Sequence, residues 1–291
     1  MLVLSVPGDL SIGRDVTSVR DVSAVTFDFG NTLLAVDRAT LSAVVETTAR
    51  AVAERLGPWD VREFIDVWAI ERERQFREEV PAFREVDLGE RFVRVLARLR
   101  GFTPPAPDER WDEDAAAAWS TPDEIAWAVD ACSDAFVRLF TPRPGVRRTL
   151  EVLAGERTLA IVSNWPHART VDRFAEAAGW TPYLATIVVS QRVGTIKPHG
   201  AIFEAARSAL GAPEPEAILH VGDDWAADVV GAAAAGWRTA YITGGSHDSP
   251  LPSSGRDSSV VPDLEIDRVD DLPRLLGSAR RAAAGIGDSP D

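Results

Sequence analysis

From about residue 145 onward the chain alternates short apolar, β-branched runs with stretches of helical periodicity, and no other feature constrains its fold as strongly. Leu159-Ala160-Ile161-Val162, Thr186-Ile187-Val188-Val189, Ile218-Leu219-His220-Val221 and Thr239-Ala240-Tyr241-Ile242 read as strands. Residues 169–178, 201–210, 226–235 and 269–276 read as helices. Strands that are apolar at every position and separated by helices build a parallel sheet covered on both faces. One strand of the same kind stands far upstream: Ala24-Val25-Thr26-Phe27, ending at Asp28 and followed by the turn signal Gly30-Asn31. It belongs with the later strands. The fold class is therefore α/β, with a discontinuous core made of residues 21–35 and 144–277.

The intervening residues 36–143 show only helical periodicity and are expected to form an all-helical insertion. Apolar positions recur at Leu41, Val44, Val45 and Val52, at Val61, Phe64, Ile65 and Trp68, and at Phe92, Val95, Leu96 and Leu99. Residues 101–118 carry Pro104, Pro105 and Pro107 and then an acidic, alanine-rich stretch, which predicts an irregular connection. Thr121-Pro122-Asp123-Glu124 combines a capping threonine, proline at the first helical position and a glutamate placed for a capping box, so a long helix runs to about Phe140. Trp59, Trp68, Trp111, Trp119 and Trp127 are expected to pack in the core of the insertion. The charged run from Glu71 to Glu79 reads as a solvated helix face with local ion pairs. Residues 1–20 read as a weakly ordered extension and 278–291 as a flexible tail.

Composition sets the class of partner. Lys and Arg total 31 against 45 Asp and Glu, a net charge of −14, which is the wrong sign for tracking phosphate backbones or anionic membranes. No apolar run approaches the roughly 20 residues that span a bilayer, and the apolar residues 1–6 lack the basic flank and length of a signal peptide. The single cysteine, Cys132, leaves no disulfide or CxxC pair. These features predict a soluble, cytoplasmic protein. His167, His199, His220 and His247 have no metal-ligand spacing and read as surface or core residues. There is no GxxxxGK[ST] phosphate loop.

In open α/β sheets ligands bind beyond the carboxyl ends of the strands. The polar residues expected there are Asp28, Ser163-Asn164, Lys197-Pro198, and Gly222-Asp223-Asp224 with Asp228. Several carboxylates facing one ammonium and a pair of short hydrogen-bond donors suit a hard cation together with an anion, and magnesium with phosphate is the natural pair. Lys197 is the only lysine in a chain whose other basic residues are all arginine, and a planar guanidinium does not replace a compact ammonium beside a carboxylate. Plainer readings exist for each position. Asp28 and Asp223 would serve as helix caps, Asp224 and Asp228 would favour the start of the next helix, and Ser163-Asn164 would be a turn.

Taken in order, Thr26-Phe27-Asp28-Phe29-Gly30-Asn31-Thr32-Leu33, Val162-Ser163-Asn164, Gly194-Thr195-Ile196-Lys197-Pro198 and Val221-Gly222-Asp223-Asp224 with Asp228 resemble the four signature motifs of the haloacid dehalogenase superfamily. Gly231-Ala232-Ala233-Ala234-Ala235-Gly236 resembles the helix end that follows the fourth. The resemblance covers residues 22–242. It implies a three-layer Rossmann-like core, a helical cap inserted after the first motif, and chemistry through an aspartyl intermediate. In the phosphatase branch Asp28 would be the nucleophile, and Mg²⁺ would be held by Asp28, the Gly30 carbonyl and Asp223. Asp228 would act on the metal through water or orient Lys197. Ser163, Asn164 and Thr32 would bind the transferring group, and Lys197 would pair Asp28 with the phosphate of a small phosphorylated molecule.

One departure matters. Efficient phosphatases of this group carry a second aspartate two residues after the nucleophile to protonate the leaving group, and here that position is Gly30. A general acid contributes roughly 10²–10⁴-fold, so esters with poor leaving groups are expected to turn over slowly. Two alternatives follow: a catalytically weak or silent binding protein, and a 2-haloacid dehalogenase. The dehalogenase branch needs no magnesium and usually lacks an acidic fourth motif, which Asp223, Asp224 and Asp228 supply here.

Overall fold

The run Ala24–Phe27 (β1) is buried at all four positions, and the reason lies in its neighbours. In the computed structural model, which describes residues 16–244 and 248–278, β1 is the middle of a six-stranded sheet ordered β3-β2-β1-β4-β5-β6. The other strands are β2 (Thr158–Ser163), β3 (Thr186–Val189), β4 (Ile218–Gly222), β5 (Arg238–Ile242) and β6 (Leu264–Ile266), and every pairing is parallel. Thr26 stands opposite Ala160 on one side and His220 on the other. Side chains alternate across the sheet, so Val25 and Phe27 enter one apolar layer while Ala24, with Val162 and Ile218, enters the other.

Helices α6 (Val146–Ala154), α7 (Ala168–Ala177) and α11 (Leu272–Leu275) cover the first face, while α9 (Gly200–Ala209) and α10 (Gly231–Ala234) cover the second, and the single turn α8 (Ser190–Val193) follows β3. Strand order runs in opposite senses on either side of β1. The crevice at the carboxyl ends of β1, β2 and β4 is therefore the place where this topology receives a ligand.

Between β1 and β2 run α1 (Arg38–Leu56), α2 (Val61–Glu79), α3 (Leu88–Leu99), α4 (Glu113–Ala117) and α5 (Pro122–Leu139). They begin at Asp37, Asp60, Asp87, Asp112 and Thr121, whose side-chain oxygens accept backbone N–H groups of the first turn. The capping box forms as the sequence predicts, with Glu124 Oε2 accepting the Thr121 amide at 2.8 Å. α1 packs on α5 and α2 on α3.

Several expectations change. Residues 101–118 are not wholly irregular, because Asp112 caps the short helix α4. The run from Glu71 is not a solvated face: Glu71, Arg74 and Gln75 are buried against α3. Glu71 pairs with Arg98 at 2.6 Å, and Glu78 pairs with Arg74 and Arg94 at 2.8 Å each. Trp68 and Trp111 are core residues and Trp59 and Trp127 are half-buried, whereas Trp119 lies on the surface. The helix expected over 226–235 opens as a π-helix, Trp225–Val230, before tightening into α10. The helix expected over 269–276 is a 3₁₀ turn, Val269–Asp271, followed by α11. α6 and β6 were not expected. Val16–Asp21 forms a 3₁₀ turn that buries Val19; the rest of the expected extension, nearly all of the tail and His247 lie outside the described residues. Among the described residues no helix is long and apolar enough to cross a membrane.

Candidate active site

Asp28 is the first residue past β1, and its amide still bonds the Val221 carbonyl at 2.8 Å, so the strand register fixes its backbone. Phe29 anchors the next step in a cluster with Phe136, Trp165, Phe174 and Trp180. Asn31 then adopts a left-handed conformation, φ +58°, and its Oδ1 accepts the Val36 amide, which turns the chain toward α1.

Lys197 reaches this point from the loop before α9. Its ammonium donates to Asp28 Oδ1 at 2.7 Å, Asp228 Oδ1 at 2.6 Å and the Val162 carbonyl at 2.9 Å, which uses all three protons. The Asn164 side chain holds the lysine backbone from both sides, accepting its amide at 2.7 Å and donating to its carbonyl at 3.0 Å. Asn164 thus positions Lys197 with its side chain and leaves only its backbone for a ligand.

Asp228 is the hub behind the lysine. Its Oδ1 receives Lys197 and His220 Nε2, the latter at 3.1 Å, and its Oδ2 receives the Asp224 amide at 2.9 Å. The wide turn of the π-helix brings this carboxylate back over β4. Gly222 permits the approach, since a Cβ there would stand 2.1 Å from Asp228 Oδ2. Burial works against the charge on Asp228, but Lys197 and His220 outweigh it and hold the carboxyl well below its ordinary range. Asp224 caps the turn through the Ala227 amide and binds Ser254.

His220, read in the sequence as a surface or core residue, is a core residue, fully buried between Thr26 and Asp228. Thr26 Oγ1 lies 2.8 Å from Nδ1, so with the hydroxyl donating there the neutral ring carries its proton on Nε2 and donates to Asp228. Burial lowers its pKa and keeps it neutral. A sequence signal existed: His220 precedes Asp228 by eight residues on an adjoining strand. His220→Leu is expected to lower turnover about 10–100-fold by freeing Asp228 and Lys197, with His220→Gln recovering most of it. Steady-state kinetics on both variants checks this.

Asp223 completes the group. Burial, then the charges of Asp28 and Asp228, push its carboxyl up to about 8. Burial likewise lifts Asp28 to about 6 against the pull of Lys197. Oxygens of Asp28, Asp223 and Asp228 all lie within 4.8 Å of one another. Three carboxylates thus gather in one crevice where a single ammonium pairs with only two of them, an excess of hard anionic donors that fits a divalent cation. With Asp228 committed to Lys197, His220 and the Asp224 amide, the oxygens best placed to hold such an ion are those of Asp28 and Asp223. Thr32 donates to Asp223 Oδ1 at 3.1 Å, so it supports this carboxylate rather than standing free for a ligand. The Ser163 hydroxyl is buried without a hydrogen-bond partner, as an anion-binding donor awaiting its acceptor would be.

The position of the missing aspartate is walled by apolar side chains. A Cβ on Gly30 would stand 2.7 Å from Leu251 and 3.3 Å from Trp165. Leu251 belongs to a segment that folds back over the site: Asn31 donates to Ser249, Arg72 to the Pro250 carbonyl, and Ser254 to Asp224. Nothing in the Ser- and Pro-rich sequence of this segment announces that role.

A separate cavity of about 400 Å³ lies where α2 and α3 meet the helical turn after β3, and neither Asp28 nor Lys197 lines it. Glu85, on its wall, bonds Ser190, and burial pushes its carboxyl up to about 7. The native side chain therefore keeps its proton to higher pH than the unfolded one, and stability falls as pH rises from about 4.5 to about 7. Glu85→Gln is expected to gain about 1–3 kcal/mol over the parent at pH 8 and nothing at pH 4. Denaturant melts at the two pH values measure the difference.

Residues 22–236 match the haloacid dehalogenase-like hydrolase family. A pyrimidine 5′-nucleotidase of Escherichia coli is 27% identical over 147 residues, which is 50% of this chain and 62% of the relative. A ribulose-1,5-bisphosphate 5-phosphatase of Halopiger xanaduensis is 28% identical over 149 residues, again 50% of this chain and 62% of the relative. The alignments thus span somewhat under two thirds of these relatives. Among solved structures, a 2-haloacid dehalogenase from Pseudomonas syringae superposes with a TM-score of 0.61 at 22% identity, covering 88% of this chain and 98% of that one. A phosphatase from Thermococcus onnurineus gives 0.55 at 18% identity, covering 88% and 98%. Those likenesses establish the fold, and the family match extends over the segments that carry Asp28, Ser163, Lys197 and Asp223. The chain belongs to the haloacid dehalogenase-like hydrolases.

Proposed function

We propose that the protein is a Mg²⁺-dependent phosphatase of a small phosphorylated molecule, with residues 36–143 as a cap over the site and the cytoplasm as its compartment. The observation that carries this reading is the cluster in which oxygens of Asp28, Asp223 and Asp228 lie within 4.8 Å of one another while Lys197 neutralises only Asp28 and Asp228, leaving Asp223 without a cation partner within ion-pair distance among the described residues. The phosphatases among the relatives support it, and a metal-independent dehalogenase has no use for the surplus acid.

Asp28 attacks phosphorus in line. A bond forms between its carboxylate oxygen and phosphorus as the ester P–O bond breaks, and water then releases phosphate from the aspartyl phosphate. Lys197, held charged by Asp28 and Asp228, orients the nucleophile and faces the phosphoryl oxygens. Ser163 donates its unpaired hydroxyl to the group in transfer. Asp28, Asp223 and the Gly30 carbonyl would hold Mg²⁺, and the ion would supply charge neutralisation there. Gly30 gives no proton to the leaving group, so it departs unaided or takes one from water.

The rate should therefore depend steeply on the leaving group. An aryl phosphate is expected to be hydrolysed at least about 10²-fold faster than an alkyl phosphate, and chelation of Mg²⁺ should stop both. A phosphate-release assay on the matched pair, with and without chelator, is the test. Absence of turnover on either ester would favour the silent binding protein, a reading motivated by the apolar wall at Gly30. Chloride release from a 2-haloacid without metal would favour the dehalogenase.

A further inference from the structure

The buried and half-buried arginines of α2 and α3 divide into two kinds. Arg74, Arg94 and Arg98 each meet a carboxylate. Arg91 is as buried as Arg74, at 5% exposure, and meets none within ion-pair distance among the described residues. Its Nε donates to Gln75 Oε1 at 2.9 Å, its guanidinium lies 5.2 Å from the Trp68 ring centre, and its Nη2 has no hydrogen-bond partner. Burial, with the nearby positive charge of Arg72, pushes Arg91 down to about 10. Arg72 on α2 likewise has no carboxylate partner among the described residues, and its Nη2 donates to the neutral carbonyl of Pro250 at 3.0 Å. The carboxylates nearest Arg91 are engaged elsewhere: Glu85 with Ser190 and the Val86 amide, Asp87 with the α3 amides and Gln191. A buried guanidinium with an unmet N–H is costly and calls for an anion.

Arg72 reaches the segment that walls Gly30, and Arg91 lies close enough to Arg72 for the two charges to repel. Arg72 binds the carbonyl next to Leu251. Arg91 lies one turn beyond Leu88, on the same buried face of α3, and the Leu88 amide bonds the carbonyl of Pro166, next to Trp165. Two neighbouring cations without carboxylate partners among the described residues thus lie on the helical insertion, one of them bonded to the segment that covers Gly30, in a chain of net charge −14.

We propose that Arg72 and Arg91 form a second anion subsite, and that the substrate is a phosphorylated molecule carrying a further carboxylate or phosphate. The proposal rests on the reading of Asp28 as the group that receives phosphate. With the ester phosphate at Asp28 and Lys197, the second anion displaces the Pro250 carbonyl from Arg72 and meets the open Nη2 of Arg91, a task suited to two-point donation by guanidinium.

The test is calorimetric binding of propylphosphonate, carboxypropylphosphonate and propylene bisphosphonate to the full chain at saturating Mg²⁺. At least one doubly anionic probe should bind about tenfold or more tightly than propylphosphonate, and which of them does so distinguishes carboxylate from phosphate as the second group. Arg91→Gln and Arg72→Gln should each reduce that ratio below about threefold. Arg72→Gln and Arg91→Lys carry the test should Arg91→Gln not fold. Equal affinity for the three probes in the parent protein overturns the subsite, as does parallel weakening of all three in the variants, the signature of a structural role. If propylphosphonate binds and aryl phosphate is hydrolysed while the second anion adds nothing, the phosphatase reading stands and the subsite alone falls. If no probe binds and no ester is hydrolysed, both fall.

Discussion

Asp28→Asn leaves a folded protein whose phosphate release is at least about 10⁴-fold below the parent, because a carboxamide cannot form the aspartyl phosphate and the rest of the cluster has no other nucleophile in its place. Folding should not suffer. The Asp28 carboxyl is lifted from 3.8 to about 6, chiefly by burial, so its ionised form works against the native state once pH exceeds that value. The sign follows from proton binding: the native side chain holds its proton up to about pH 6 while the unfolded one releases it near 3.8, and stability drops between the two. In chelator above pH 7 the variant should therefore melt at or above the parent. Added Mg²⁺ should raise the parent's melting temperature and raise the variant's less. A calorimetric or fluorescence melt alongside the assay separates loss of chemistry from loss of fold.

Lys197→Met acts on fold and chemistry together. The ammonium is 2% exposed and neutralises Asp28 and Asp228 at 2.7 and 2.6 Å. Removing it leaves two buried carboxylates beside a third, Asp223, and the Val162 carbonyl without its donor. Breaking a buried pair by deleting one partner costs about 3–5 kcal/mol, and that is the expected loss in a denaturant melt without metal. Part of it should return with Mg²⁺, which neutralises the same carboxylates. Any folded fraction should hydrolyse phosphate esters at least about 10²-fold more slowly than the parent. Lys197→Arg is not expected to rescue either property, since the pocket closes around a compact ammonium and a planar fork needs different acceptors.

How far the sequence revealed this molecule depends on whether the cause was local. Strands buried on both faces must be apolar throughout, so the runs ending at Phe27, Val162 and Val221 were legible, and the polar residues just beyond them marked the crevice. Capping is equally local, and Thr121 with Glu124 announced α5. The Glu71 run misled because its burial is set by Arg98, 27 residues further on, and a charged side chain gives no local sign that its partner is internal. α6 was legible in Val146, Leu150 and Leu153 but obscured by the preceding Pro and Gly. β6 is three residues long with Glu265 at its centre, too short for a period to register. In the site, the gathering of Asp28, Lys197, Asp223 and Asp228 could be anticipated from strand ends. The roles of Asn164 and Thr32 as supports for other groups, and the covering of Gly30 by Leu251, depend on contacts between distant segments that no spacing encodes.

The most direct measurement is acid-quench mass spectrometry of the purified protein mixed with an aryl phosphate and Mg²⁺, followed by peptide mapping. One phosphoryl group is expected on the peptide that contains Asp28, absent with chelator and absent in Asp28→Asn. Steady release of phosphate with no such adduct, or an adduct that persists when Asp28 is replaced, would contradict it.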